Sequence, residues 1–198
     1  LDIFLTHAHL DHVVGLTYLL ELQARTPPPE ITVHGEAEKL AAVDSHLFAT
    51  ALFPVRPSFR FAQLDGEVPL DGGGRLSHFP LVHPGGAVGF RLDWPGRSLA
   101  YVTDTTARPD ADYVERIRGV DLLVHECYFN DERAELADRT GHSCLTQVVR
   151  LAADISVKQL VLVHIDPSAD QDRPIDLTAA RCVFRHSEVG VDGMEINF

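Results

Sequence analysis

Residues 6–12, which read Thr-His-Ala-His-Leu-Asp-His, constrain the fold more than any other part of this chain. Three histidines and an aspartate occupy six consecutive positions there. The block lies between an apolar, strand-like run at residues 2–5 and a helix-like run at residues 13–20. A loop that joins a strand to a helix and carries four side chains of this kind predicts a metal site.

The spacing within this loop favours two metal ions over one. In an extended segment His7 and His9 point to the same side, because side chains alternate with a period of two. Asp11 and His12 fall at the turn into the helix and can face elsewhere. Imidazole and carboxylate together suit zinc, manganese or iron, and a loop without cysteine argues against a closed thiolate site.

The composition fits one soluble globular domain over residues 1–198. With 45% apolar and 23% charged residues, the chain can bury a sizeable core. The net charge of −12 gives no general surface for polyanions, and no apolar run is long enough to span a membrane. Three cysteines without a Cys-x-x-Cys pair predict reduced, packing thiols in the cytoplasm.

Strand-like and helix-like segments alternate along the chain, which predicts an α/β layered fold. Helical spacing is found at residues 11–25 and 110–118, and Ser143 is a suitable N-cap for a further helix that runs to residue 154. Residues 159–163 form the clearest buried strand, and residues 193–198 are expected to add a closing strand.

Three further ligand-type residues each follow an apolar run. His83 comes after residues 79–82, Asp104 after residues 99–103 and His164 after residues 160–163. In α/β folds, side chains at strand ends meet at one edge of a sheet. These three residues are therefore candidates to complete a site that the opening block begins.

Residues 6–12 resemble the signature of the metallo-β-lactamase superfamily. The resemblance implies an αββα sandwich with two divalent metal ions, zinc being the first expectation and manganese or iron the alternatives. It assigns one metal to His7, His9 and His83 and the other to Asp11, His12 and His164, with Asp104 bridging. Since that fold has strands before the signature, we expect this chain to lack the N-terminal strands.

A longer stretch, up to about residue 167, is similar to the ribonuclease Z and phosphodiesterase branch of that superfamily. The similarity rests on residues 124–129 (Val-His-Glu-Cys-Tyr-Phe) and 140–143 (Thr-Gly-His-Ser). It implies that His142 protonates the leaving oxygen as a general acid. Our hypothesis is that Glu126 orients His142. Asp11 is the third predicted catalytic residue. His125 is expected to have a packing role instead.

Two departures from that branch bear on the substrate. Only 21 positions separate His83 from Asp104, which leaves no room for the long arm that holds tRNA in many ribonuclease Z proteins. Residues 165–174 also differ from the serine-rich run expected after the last ligand. A small cyclic or linear phosphodiester is therefore a better expected substrate than tRNA.

The predicted function is hydrolysis of a phosphodiester by a hydroxide that bridges the two metals. Three alternatives stay open: tRNA 3′ processing, hydrolysis of a thioester or lactone, and a metal-binding domain without turnover. No membrane partner is expected, and the sequence leaves a homodimer open.

Overall fold

The structure is a computed structural model that describes residues 1–169 and 175–198. The chain divides into two compact units, Leu1–Gly66 and Glu67–Phe198. Each unit has its own sheet and its own apolar core. That residues 1–198 act as one hydrolase domain stays a prediction.

The first unit contains a parallel sheet in the order β1-β2-β3. Its strands and helices are β1 (Asp2–Phe4), α1 (Leu10–Val13), α2 (Leu20–Gln23), β2 (Thr32–Gly35), α3 (Ala37–Ala42) and β3 (Arg60–Gln63). The backbone N–H of Leu5 donates to the carbonyl of His34 at 2.8 Å, which continues the β1 pairing up to the histidine block. Val33 at the centre of the sheet is fully buried.

The predicted helix over residues 11–25 is interrupted. A 3₁₀ segment, Val14–Leu19, separates α1 from α2. Gly15 lies in this segment and follows two β-branched valines, and both residue types weaken an α-helix. The turn of α-helix that carries Asp11 and His12 is consequently only four residues long.

The second unit contains a seven-stranded sheet in the order β10-β9-β8-β7-β6-β5-β4. The strands are β4 (Val68–Leu70), β5 (Gly74–Leu81), β6 (Ala87–Trp94), β7 (Arg97–Val102), β8 (Leu122–Glu126), β9 (Gln159–Val163) and β10 (Ser187–Val189). The helices are α4 (Val114–Ile117), α5 (Ala134–Thr140), α6 (Leu145–Asp154) and α7 (Leu177–Val183). The predicted α/β character and the strand at residues 159–163 are confirmed.

Pairing directions in this sheet bring four strand ends to one edge. Strands β7, β8 and β9 are parallel, and β5 runs with them because two antiparallel pairings separate β5 from β7. The carboxyl ends of these four strands therefore share one edge of the sheet. Buried positions such as Val102, Leu123 and Leu160, all 0% exposed, fill the centre below that edge.

Three predictions of local structure are wrong. The helix expected at residues 110–118 is reduced to Val114–Ile117. Ser143 is not the N-cap of α6, which is Cys144, because the Ser143 hydroxyl donates to the carbonyl of Thr105 at 2.7 Å instead. The closing strand is Ser187–Val189 rather than residues 193–198, since that strand already occupies the edge of β9.

Two of the three cysteines pack as predicted. Cys127 and Cys144 are buried, but Cys182 is exposed, so its predicted packing role is wrong.

Among the helices of residues 1–169 and 175–198, none is long and apolar enough to cross a membrane.

His125 lies inside the second unit, as predicted, and its side chain is fully buried. Its Nδ1 lies 2.7 Å from the carbonyl oxygen of Glu126, and its Nε2 lies 3.2 Å from the hydroxyl of Tyr113. These contacts fit a neutral ring that donates from Nδ1 and accepts at Nε2. Burial lowers the pKa of His125 from its ordinary 6.5 to about 4.

The low pKa of His125 predicts a pH dependence of stability. Between pH 6.5 and pH 4 the unfolded chain takes up a proton that the folded chain does not. The free energy of unfolding should therefore fall as the pH falls, by roughly 3 kcal/mol from this residue. Urea unfolding over this range should give a flatter pH profile for His125→Gln than for the wild type. An NMR titration of His125 with a midpoint near 6.5 would contradict the prediction.

Candidate functional site

In the first unit, the loop after β1 brings three imidazoles together. The ring of His7 lies 4.6 Å from that of His9 and 4.1 Å from that of His12, centroid to centroid. His7 is 1% exposed, and its Nδ1 is 3.1 Å from the hydroxyl of Thr6. Asp11 is exposed, with Oδ2 3.4 Å from Nε2 of His12. The four candidate ligands of the opening block thus form one local group.

In the second unit, Asp104 lies between two histidines at the sheet edge. Its Oδ2 is 3.6 Å from Nε2 of His83, and its Oδ1 is 3.6 Å from Nε2 of His164. Each oxygen of the carboxylate therefore faces a different imidazole. Asp104 is 2% exposed and follows β7, while His83 and His164 follow β5 and β9.

The side chains of His83, Asp104 and His164 are suited to bind divalent metal ions. The N···O separations of 3.6 Å are longer than hydrogen bonds, and they approach the roughly 3.3 Å between ligand atoms around a tetrahedral ion with bonds of 2.0–2.1 Å. A buried carboxylate also needs compensation for its lost hydration, which a cation supplies. The ligand atoms of Asp104, His142 and His164 lie within 4.8 Å of one another. The chain thus has a His/Asp cluster of the type that binds divalent metals.

A backbone carbonyl fixes the orientation of His83. Nδ1 of His83 lies 2.9 Å from the carbonyl oxygen of Gly141, so that Nδ1 carries the proton and Nε2 is the nitrogen turned to Asp104. Gly141 ends α5 in the left-handed conformation, with φ +78°. A Cβ there would lie 2.8 Å from Cδ of Pro84 and 3.1 Å from Nδ1 of His83.

Glu126, at the end of β8, is a buried carboxylate that accepts four N–H groups. Its Oε1 accepts from the backbone of Thr105 at 3.2 Å, the backbone of Ser143 at 3.0 Å and Nδ1 of His142 at 3.2 Å. Its Oε2 accepts from the backbone of Tyr128 at 2.9 Å. Burial raises the pKa of Glu126, and the hydrogen bond from His142 opposes that shift.

His142 packs against two other rings. Its centroid is 4.6 Å from that of Tyr128, at an interplanar angle of 23°, and 5.6 Å from that of His164, at 19°. The rings of Tyr128 and His164 are themselves 5.2 Å apart, so the three rings form one cluster, and the Glu126 contact restrains His142 at its edge. The ring is therefore preorganised, with Nδ1 committed to a carboxylate.

His164 has an unusual backbone for a residue with a side chain. Its φ is +55°, in the left-handed region that costs an L-residue about 1–2 kcal/mol. The chain adopts this conformation directly after β9, where the imidazole turns toward Asp104. Strain of this kind is concentrated at functional sites.

Sequence reasoning missed two residues that support the site, Gly141 and Tyr128. The carbonyl of Gly141 has no side-chain signal, although a glycine directly after a helical pattern marks a left-handed C-terminus. Tyr128 stands in a strand-end context that gives no hint of its stacking on His142. Both lie next to residues that the sequence did single out, Glu126 and His142.

Replacement of Gly141 by alanine should weaken metal binding. The substitution meets both the left-handed backbone and the close contacts with Pro84 and His83. We expect Gly141→Ala to lower the free energy of unfolding by about 1–2 kcal/mol and zinc affinity by about tenfold. Urea unfolding and competition with a chelating dye measure the two effects.

Gly193→Ala is the matched control for Gly141→Ala. Gly193 has the same φ of +78°, but a methyl group added there would have no atom of the described residues within 4 Å, so only the backbone penalty applies. Its zinc affinity should equal that of the wild type. Equal zinc affinities for the two alanine variants would show that the Gly141 contact does not orient His83.

Comparison with known proteins gives a family match over most of the chain. Residues 1–165 match the model described as beta-lactamase superfamily domain. Ribonuclease BN of Erwinia tasmaniensis is 27% identical over 242 residues, which cover 96% of this chain and 79% of that protein. Ribonuclease Z of Methanosarcina acetivorans is 34% identical over 142 residues, which cover 72% of this chain but only 44% of that protein.

A solved structure agrees with this match at the level of the fold. The metallo-beta-lactamase fold protein YhfI from Bacillus subtilis superposes with a TM-score of 0.75 at 17% identity, covering 98% of this chain and 76% of that one. The predicted fold class is therefore confirmed. This chain belongs to the beta-lactamase superfamily and has the metallo-β-lactamase fold.

Proposed function

We propose that this chain is a metal-dependent hydrolase that cleaves a small phosphodiester. The observation that carries the proposal is Asp104, whose two oxygens face His83 and His164 at equal distances of 3.6 Å. A carboxylate in this position is suited to bridge two ions. The proposed metal ligands are His7, His9, Asp11, His12, His83, Asp104 and His164.

Two divalent ions bound by these residues would supply a water of lowered pKa and offset the charge that develops on the phosphoryl oxygens. His142 supplies the proton that the leaving oxygen requires. Glu126 accepts from Nδ1 of His142 at 3.2 Å, and this contact stabilises the protonated ring and leaves Nε2 as the donating atom. Tyr128 stacks on the same ring and restricts its rotation.

The named relatives support phosphodiester cleavage. Two curated relatives carry the names Ribonuclease BN and Ribonuclease Z, and a ribonuclease cleaves the phosphodiester of RNA. The resemblance of residues 124–129 and 140–143 to the ribonuclease Z branch also favours a second candidate function for this chain, the processing of tRNA 3′ ends. The same residues would serve both reactions. The choice between a small diester and RNA therefore depends on the charge and the chain segments around the site.

Three observations favour a small diester over RNA. The chain carries a net charge of −12, whereas binding of a polyanion is driven by lysine and arginine. A tight turn at Pro95 and Gly96 joins β6 to β7, with no inserted arm. The alignment with Ribonuclease BN runs over 242 residues although this chain has 198, so that relative carries internal segments that have no counterpart here.

The proposal also covers the identity of the metal and the cellular compartment of the protein. Zinc is the first expectation because the ligands are predominantly imidazoles, with manganese and iron as alternatives. Cytoplasmic placement is supported by cysteines that form no disulfide among the described residues.

The primary test is hydrolysis of bis(p-nitrophenyl) phosphate by the full chain loaded with zinc, manganese or iron. We expect turnover that is abolished by a chelator and reduced at least about 100-fold in Asp104→Asn. His46→Ala, a change at an exposed histidine outside the ligand set, is the control and should retain full activity. Intact metal binding without turnover on any loaded form would refute the hydrolase. Cleavage of precursor tRNA at a higher kcat/KM than small diesters would select the second candidate instead.

Replacement of His142 should discriminate between leaving groups. Hydrolysis of a dinucleotide expels one nucleoside as a poor alkoxide leaving group that must be protonated, while p-nitrophenolate leaves without a proton. We expect His142→Ala to lower kcat on thymidylyl-thymidine by about 100-fold or more and on bis(p-nitrophenyl) phosphate far less. Glu126→Gln should follow the same pattern more weakly. Equal losses on both substrates would argue against general acid catalysis by His142.

A further inference from the structure

A cavity of about 710 Å³ lies beside His83 in the second unit. Apolar side chains form much of its wall, among them Pro80, Val82, Pro84 and Ala111. Val82 is 84% exposed, so its side chain is accessible from solvent. The volume falls within the range of about 300–1,000 Å³ that is typical of small-molecule pockets. His83 faces Asp104 and also lines this cavity, so the cavity adjoins the proposed metal ligands.

The rim of the cavity carries charges of both signs. Arg108 is paired with Asp138, with Nη2 3.5 Å from Oδ1. The other three charged residues are Asp110, Asp112 and Arg139. Within residues 1–169 and 175–198, the side chains of these three have no hydrogen-bond or ion-pair partner. Two carboxylates and one guanidinium are thus available to a ligand.

This rim disfavours two kinds of occupant. A run of phosphates would meet the carboxylates of Asp110 and Asp112, in a chain whose net charge is already −12. A quaternary amine would meet Arg139 and would need an exposed aromatic face. The aromatic residue of the lining, Tyr113, is only 3% exposed. A planar, uncharged group with N–H donors satisfies both the apolar wall and the carboxylates.

We propose that the cavity binds the base of a nucleoside that forms one arm of the diester, a proposal that rests on the proposed function. The ring lies against the wall formed by Val82 and Pro84. Its N–H groups donate to Asp110 or Asp112, and the planar guanidinium of Arg139 packs on the ring face. The site then selects a nucleoside-bearing diester over simple alkyl diesters.

Two esters that share their reacting centre test this proposal. Thymidine 5′-(p-nitrophenyl phosphate) and methyl p-nitrophenyl phosphate release the same leaving group, and only the retained arm differs. The readout is the ratio of their kcat/KM values, measured with the metal-loaded full chain. Asp110→Asn/Asp112→Asn removes the charged acceptors, and we expect the ratio to fall by about tenfold. Ala111→Trp fills the cavity and should lower the ratio at least as much.

Glu115→Trp is the matched control, because Glu115 is exposed, is close in sequence to the two aspartates and lies outside the cavity lining. It should leave the ratio at the wild-type value. Binding of thymidine to the metal-free full chain, followed by saturation-transfer NMR, gives a second readout that requires no turnover. The double asparagine variant should lose that signal.

The outcomes separate this inference from the proposed function. An unchanged ratio in both cavity variants, with methyl p-nitrophenyl phosphate still hydrolysed by the wild type, would overturn the nucleoside site alone. Thymidine binding that depends on Asp110 and Asp112, in a protein that turns over neither ester, would overturn the hydrolase and retain the binding site. A fall in the ratio together with loss of thymidine binding supports both.

Discussion

The buried carboxylate of Glu126 is the interaction on which the rest of the second unit's site depends. It sits at the end of β8 and accepts N–H groups from the segment after β7, from its own strand end and from the connection between α5 and α6. A carboxylate without water needs such donors, and a single buried anion therefore fixes three chain segments relative to one another. Removal of any one donor would leave the others to compensate for a buried charge.

This arrangement explains why the ligands and His142 can be organised by different elements and still form one local group. The proposed histidine and aspartate ligands of this unit follow β5, β7 and β9, which end at one edge because of the pairing directions of the sheet. His142 belongs instead to a helix connection, which by itself has no fixed register with those strands. Glu126 provides that register, since its Oε1 accepts from the backbone of Thr105, in the segment after β7, and from the backbone of Ser143, in the connection before α6.

The positions of the proposed ligands in the second unit were predictable because they obey a simple rule. An apolar run that ends in histidine or aspartate places that side chain at a sheet edge, and His83, Asp104 and His164 follow the rule. The αββα class and the hydrolase family followed from residues 6–12. Less could be predicted where tertiary contacts compete with local preference.

Ser143 illustrates this limit. It has the chemistry of an N-cap, but its hydroxyl accepts from the backbone of Ala107 and donates to the carbonyl of Thr105, and Cys144 is the N-cap instead. The tail at residues 193–198 has the alternation of a strand but no open sheet edge beside β9. The break in the helix after Val13 depends on a balance of weak propensities that the apolar pattern does not reveal.

The contact between His83 and Gly141 has a consequence for how such sites change over evolution. The group that orients this imidazole is a main-chain carbonyl, which no codon change can delete. The contact is inherited with the path of the chain and with the lack of a side chain at Gly141, not with a particular polar side chain. It would therefore persist among relatives whose side chains around it have diverged, and a search for covarying residue pairs would not detect it.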